Sequence, residues 1–159
     1  MKKNDQKTNV MRLLEQAKLS YTAHLYVDTD AVSGVEVAMV LGQPQERVFK
    51  TLVTVAKSGT HYVFVIPCHL ELNLKKAAAA VGEKAIEMIK SKELLPLTGY
   101  IHGGCSPVGM KKPFRTVVHE TAASYPTICV SAGKIGYQVE INPADLQRMV
   151  GFTYADIAE

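Results

Sequence analysis

"FKTLVTVAKSGTHYVFVI" occupies residues 49–66, and its reading decides the fold class. Both halves are rich in β-branched and aromatic residues, and KSGT interrupts them. That pattern predicts two antiparallel strands joined by a tight turn. Such a hairpin is not the repeating unit of a doubly wound sheet, where a helix separates consecutive parallel strands.

Working outward, the flanking segments add helices that do not alternate with strands. Upstream, Thr8 can cap a helix whose Val10, Leu13, Leu14 and Ala17 share a face. Residues 20–27 read as a strand, and residues 33–42 as a helix capped by Ser33 and stopped by Gly42. Downstream, Asn73 can cap the alanine-rich "LKKAAAAVG", which Gly82 ends. Residues 84–89 suit strand or helix, and Ser91 is placed to cap a short helix ended by Pro96 and Gly99. Residues 115–120, 127–131 and 137–141 read as strands, and Pro143 suits the first turn of a last helix. The expectation is one α+β domain over residues 1–159, without repeat or linker.

Composition narrows the function classes. The chain has 159 residues, 47% hydrophobic and 21% charged, with net charge +3, so disorder is expected only in the polar start, residues 1–7. A mildly basic balance permits a nucleic-acid partner without requiring one. The three cysteines, Cys68, Cys105 and Cys129, form no C-x-x-C, and no histidines show H-E-x-x-H spacing, so neither a metal nor a cofactor is expected. Cys68 and Cys129 read as small core residues. His24 and His119 read as satisfied histidines within strands. No apolar run reaches membrane-spanning length and no leader-like stretch is present, so a cytoplasmic, reducing location is expected.

The candidate chemistry is sparse. Lys50 stands inside an apolar strand. It either snorkels into water or forms the floor of a pocket that holds an anion or an oxyanion. "GGCSPVGMKK" (residues 103–112) offers glycine N–H groups that can nest an oxyanion, and reads equally as a tight turn. It is neither a P-loop nor a nucleophile elbow. Cys105 with His102 is a weak candidate for a thiol nucleophile, since a loop fixes no such geometry. In "SAGKIG" (residues 131–136), Lys134 is a phosphate contact or a solvated tip.

Together these blocks resemble the YbaK/EbsC family, free-standing relatives of the editing domain inserted in bacterial prolyl-tRNA synthetases. The resemblance is carried by "VFKTLV" (48–53), "LNLKKAAAAVG" (72–82), "TGYIHGGCSPVGMKK" (98–112) and "VSAGKIGYQVEINPADL" (130–146). It spans essentially the whole chain. It implies a mixed, barrel-like β-sheet with surrounding helices, and deacylation of mischarged tRNA. The best-known branch is similar to a Cys-tRNA(Pro) deacylase that also acts on Cys-tRNA(Cys). Carried over, Lys50 is the functional lysine, and Tyr26, Ser33 and Thr51 are pocket positions. Gly103, Gly104, Ser106 and Pro107 form the glycine loop, and Ser131 stands in the second loop. Lys111, Lys112, Arg115 and Lys134 are expected to meet tRNA phosphates, and prolyl-tRNA synthetase is a possible partner.

Two departures stand out. Cysteine-specific members carry phenylalanine where this chain has Ser33, and arginine where it has Ile135. The first widens the expected pocket and the second removes one phosphate contact. Cys105 is expected to be a bystander. The alternatives are a deacylase of another small aminoacyl-tRNA, such as Ala-tRNA(Pro), and a non-catalytic tRNA- or synthetase-binding module.

Overall fold

The computed structural model describes residues 7–159. The polar start lies outside them except for Lys7, whose Nζ sits 2.9 Å from Glu15 Oε1. The described residues form α1 (Asn9–Gln16), β1 (Thr22–Leu25), α2 (Gly34–Leu41), β2 (Phe49–Ala56), β3 (His61–Pro67), α3 (Leu74–Val81) and β4 (Ile86–Met88). They continue with α4 (Leu94–Thr98), β5 (Arg115–His119), β6 (Ile128–Ser131), β7 (Tyr137–Ile141), α5 (Pro143–Val150) and β8 (Thr153–Ala155).

The hairpin forms as its sequence requires. β2 and β3 pair antiparallel, with Lys50 opposite Ile66 and Thr51 opposite Val65. They are the centre of a five-stranded sheet, ordered β4-β2-β3-β5-β8. β5 runs parallel to β3, and β8 parallel to β5, so the sheet is mixed. β1, β7 and β6 make a second, antiparallel sheet. The two sheets touch through a parallel bridge between Val48 and Cys129. The α+β class holds, with two bridged sheets and no closed barrel among the described residues.

Local signals explain most of the elements. Thr8 accepts a hydrogen bond from Met11 N, and Asn73 accepts one from Lys76 N. Ser33 and Glu36 form a reciprocal capping box on α2. Residues 84–89, which suited strand or helix, hold β4 over Ile86–Met88, because Ile86 pairs with Ala56 and buries against α3. Two details differ from expectation. Ser91 does not cap a helix; it opens a 3-10 turn, and Pro96 lies within the first turn of α4, where its missing N–H costs little. β8 is only three residues long and is held by its pairing with β5.

Each face of the central sheet has its own core. Phe49, Val53, Val63 and Val65 pack with Leu14, Val130, Val139 and Leu146. On the other face, Phe64 and Ile66 pack with Ala77, Ala78 and Val81 of α3. Phe64 is fully buried, and its truncation to alanine would cost about 3–5 kcal/mol.

Candidate active site

A gap in strand pairing creates the main cavity. Ala56 N donates to Thr60 O, and Cys68 N to Val48 O. By antiparallel alternation, the even-numbered residues of β2 therefore bond toward β3. Thr51 then directs its N–H and C=O to the opposite edge. On that edge β4 pairs with Thr54–Ala56, Ile89 N adds one bond to Val53 O, and the second sheet bridges at Val48. Between those contacts, Lys50, Thr51 and Leu52 border a cavity of about 300 Å³, toward the small end of ligand pockets.

Three segments close around this edge. The loop before α2 and the first residue of that helix supply Tyr26, Val32, Ser33 and Gly34. The glycine loop supplies His102, Gly103 and Cys105, and the second sheet supplies Val130, Ser131 and Gln138. The close approach depends on absent side chains. A Cβ on Gly34 would stand 2.5 Å from Cys68 Cβ, so any larger residue would push α2 off the end of β3. Gly103 has φ +87°, a left-handed conformation natural to glycine.

Lys50 Nζ lies 3.6 Å from Glu71 Oε2, and its side chain is 28% exposed against 87% for Glu71. Lys50 is thus a partly sheltered cation with one loosely held, solvated partner. Thr51 Oγ1 is buried and has no hydrogen-bond partner in the structure. An orphaned buried hydroxyl is costly and uncommon, and Thr51 is a residue of the cavity wall. Tyr26 is 5% exposed; burial raises its phenol pKa, and a backbone hydrogen bond from Gly136 acts the other way. Ser131 Oγ accepts from Gly133 N at 3.1 Å, which shapes the second loop.

The glycine loop is built differently from a nest. Gly104 N is already committed to Ile101 O at 2.9 Å, because the loop closes as a tight turn. Gly104 instead packs on the second loop: its Cβ would stand 3.2 Å from Ile135 N. Ser106 and Pro107 are buried behind the loop, where Ser106 Oγ accepts from Val108 N. Of these four positions, only Gly103 borders the cavity.

Cys105 also borders the cavity, but as a neutral thiol. Burial pushes its pKa up to about 12, and Thr98, not His102, is its hydrogen-bond partner. Cys68 and Cys129 are likewise buried and free. His24 Nε2 sits 2.8 Å from Glu140 Oε1, and His119 Nδ1 accepts from Ile157 N. Both histidines serve structural contacts.

The expected basic residues are dispersed. Lys134 is exposed on the second loop, against which Gly104 packs. Lys111 and Lys112 are exposed beyond α4, with Lys111 N bonded to Thr98 O. Arg115 is set apart. It pairs with Tyr62, at the end of β3 away from Ile66 and Lys50. Its guanidinium donates to Ala80 O and Val81 O at the C-terminus of α3, where a cation suits the helix dipole.

Sequence reading missed Gln138. It is 3% exposed, borders the cavity, and exchanges two amide hydrogen bonds with Gln43, at 2.7 and 3.0 Å. A glutamine on the presumed inner face of a strand was the available signal. Its partner 95 residues away was not legible.

Comparison with known proteins places the chain in a family. The model of the aminoacyl-tRNA editing domain matches residues 28–149. The "Putative Cys-tRNA(Pro)/Cys-tRNA(Cys) deacylase EbsC" of Enterococcus faecalis is 46% identical over 98% of this chain and 96% of its own length. A proline–tRNA ligase of Pelobacter propionicus is 33% identical over 62% of this chain, which corresponds to 16% of the ligase. Among solved structures, a "putative trans-editing enzyme for prolyl tRNA synthetase" superposes with TM-score 0.81 at 26% identity, covering 97% of this chain and 99% of that one. A hypothetical protein gives TM-score 0.86 at 25% identity, covering 94% of this chain and 99% of the other. With its cavity on the open edge of β2 inside the matched region, this chain belongs to the aminoacyl-tRNA editing domain family.

Proposed function

We propose that this protein is a free-standing aminoacyl-tRNA deacylase that removes cysteine from mischarged Cys-tRNA(Pro), and from Cys-tRNA(Cys), by using the thiol of the substrate. The observation that carries the reading is the composition of the cavity. Its wall carries one ammonium, Lys50, the hydroxyl-bearing Thr51, and the polar side chains of Tyr26, Ser33, His102, Ser131 and Gln138 among apolar residues. The cysteine on its wall is a neutral thiol. Such a site can position an ester and stabilise charge, but has no activated nucleophile of its own.

An activated ester needs little more. Correct orientation of an internal nucleophile is worth about 7–11 kcal/mol. In the proposed step, Sγ of the cysteinyl group bonds to its own carbonyl carbon. The carbon–oxygen bond to the terminal ribose breaks, and the thiol proton passes to the departing ribose oxygen. The products are cysteine thiolactone and free tRNA, and water later opens the thiolactone to cysteine. Lys50 stabilises the negative charge that develops on the carbonyl oxygen. Tyr26, Thr51 and Gly103 hold the aminoacyl group folded. Serine is rejected by chemistry, since almost none of its hydroxyl ionises at neutral pH; a pocket alone separates near-isosteres by only about 1–3 kcal/mol. The relatives' names support the same substrate class. Lys111, Lys112 and Lys134 supply phosphate contacts, and a prolyl-tRNA synthetase partner would add tRNA selection.

The test is side-by-side deacylation of Cys-, Ser-, Ala- and S-methylcysteinyl-tRNA(Pro), with a nucleophilic trap for thiolactone. Cysteine alone should be released, and through a trappable first product. Equal release of alanine would establish water attack instead. No release from any of the four would leave a binding module.

A further inference from the structure

We propose that Val32 and Ile135 form an apolar clasp over Gly103 that shields the bound ester from water, making this pair a determinant of which aminoacyl groups are cleaved; the specificity half of this inference rests on the deacylase reading. The two side chains come from different segments, the loop before α2 and the turn between β6 and β7. They converge on one point. A Cβ on Gly103 would stand 2.6 Å from Val32 Cγ1, and 3.4 and 3.5 Å from Ile135 Cγ1 and Cδ1. The absent side chain of Gly103 is thus the space these two groups fill.

Val32 lies on the cavity wall, and Ile135 reaches that wall through Gly103, which also borders the cavity. Val32 borders the cavity yet is 37% exposed, and Ile135 is 40% exposed. Val27 extends the same apolar rim: its Cγ1 lies 2.6 Å from where a Gly136 Cβ would stand. Isolated exposed apolar residues need no explanation. Here two of them meet over Gly103, a residue of the cavity wall, with Val27 close by at Gly136, and each forgoes burial that a core position would give.

Their chemistry suggests the role. Inside the cavity, Lys50 and Thr51 would polarise an attacking water as readily as they position a thiol. Water is therefore the competitor, and it attacks any small aminoacyl ester. A dry mouth suppresses that reaction and leaves the internal thiol as the available nucleophile. The second loop is pinned nearby, with Tyr26 N bonded to Gly136 O at 2.8 Å, so the clasp can part by movement of side chains rather than of strands.

The test uses Val32→Ala, Ile135→Ala, the double variant, and Ile135→Val, which removes only the Cδ1 tip. The first readout is independent of catalysis: alkylation of each cysteine by N-ethylmaleimide, resolved by peptide mass spectrometry. Cys105 borders the cavity, whereas Cys68 and Cys129 pack together in a separate cluster. The clasp predicts several-fold faster alkylation of Cys105 in the double variant, a smaller rise in Ile135→Val, and unchanged Cys68 and Cys129. An unchanged Cys105 rate, or equal acceleration of all three cysteines, would overturn the clasp. The second readout is the ratio of cysteine to alanine released from the matched tRNA(Pro) esters, expected to fall about tenfold. An unchanged ratio with a faster Cys105 would overturn the role in specificity. Wild type that cleaves no ester would instead fail the deacylase reading, and the alkylation readout would still decide the clasp.

Discussion

Lys50→Met separates a functional lysine from a structural one. Methionine keeps the alkyl stem and removes the charge, so packing is nearly conserved. The charge itself contributes little to folding. Its one partner, Glu71, lies 3.6 Å away with its side chain 87% exposed, and an ion pair with a solvated partner is worth about 0–1 kcal/mol. For a chain of this size that is at most about 2–4 °C in melting temperature. Catalysis should suffer more. Removing one well-placed oxyanion donor costs about 100- to 1,000-fold in other enzymes. The Lys50 side chain is 28% exposed, and solvent weakens its field, so a loss of about 10- to 100-fold in kcat is expected here. KM should change little, because the interaction grows with the charge of the transition state. The assay is single-turnover release of cysteine from Cys-tRNA(Pro), beside thermal unfolding in the same buffer. A folded variant with wild-type kcat would refute the reasoning. Lost activity that tracks a much larger drop in melting temperature would show a structural lysine.

Further outcomes concern Thr51, Cys105 and the basic residues. Thr51→Val removes a hydroxyl without a partner, so the fold should be unchanged or slightly stabilised while deacylation falls; unchanged turnover would show that Thr51 does not touch substrate. Cys105→Ala should keep Cys-tRNA deacylation within a few-fold. Because the Cys105 pKa is raised to about 12 in the fold, the folded state retains a proton that the unfolded chain loses above the ordinary thiol range. Stability should therefore decline with rising pH up to about 12, and chemical unfolding should show a shallower decline in Cys105→Ala. Changing Lys111 and Lys112 together to alanine should raise KM, and each lost phosphate contact should reduce the log–log salt slope by about 0.7–0.9, whereas Arg115→Ala should leave that slope unchanged and lower stability through α3.

The division between sequence and structure follows the range of the interactions. The β2–β3 hairpin, the Ser33, Asn73 and Thr8 caps and the glycine ends of α2 and α3 were legible, because each depends on residues within a few positions of one another. Lys50 was legible as an anomaly, a charge inside an apolar strand, and the resemblance supplied its chemical meaning. Pairing over long separations decided the rest. β4 stops short of Thr51 and the second sheet bridges the backbone of this edge at Val48, and the unpaired stretch between them borders the cavity. Neither limit is written in the residues of β2. The same holds for Gln43 and Gln138, and for Arg115, which sequence proximity grouped with Lys112 and the sheet carries to α3. Local preference determines which segments become strands and helices; the register and length of each ladder determine which backbone edge remains open, and that edge is where the chemistry is placed.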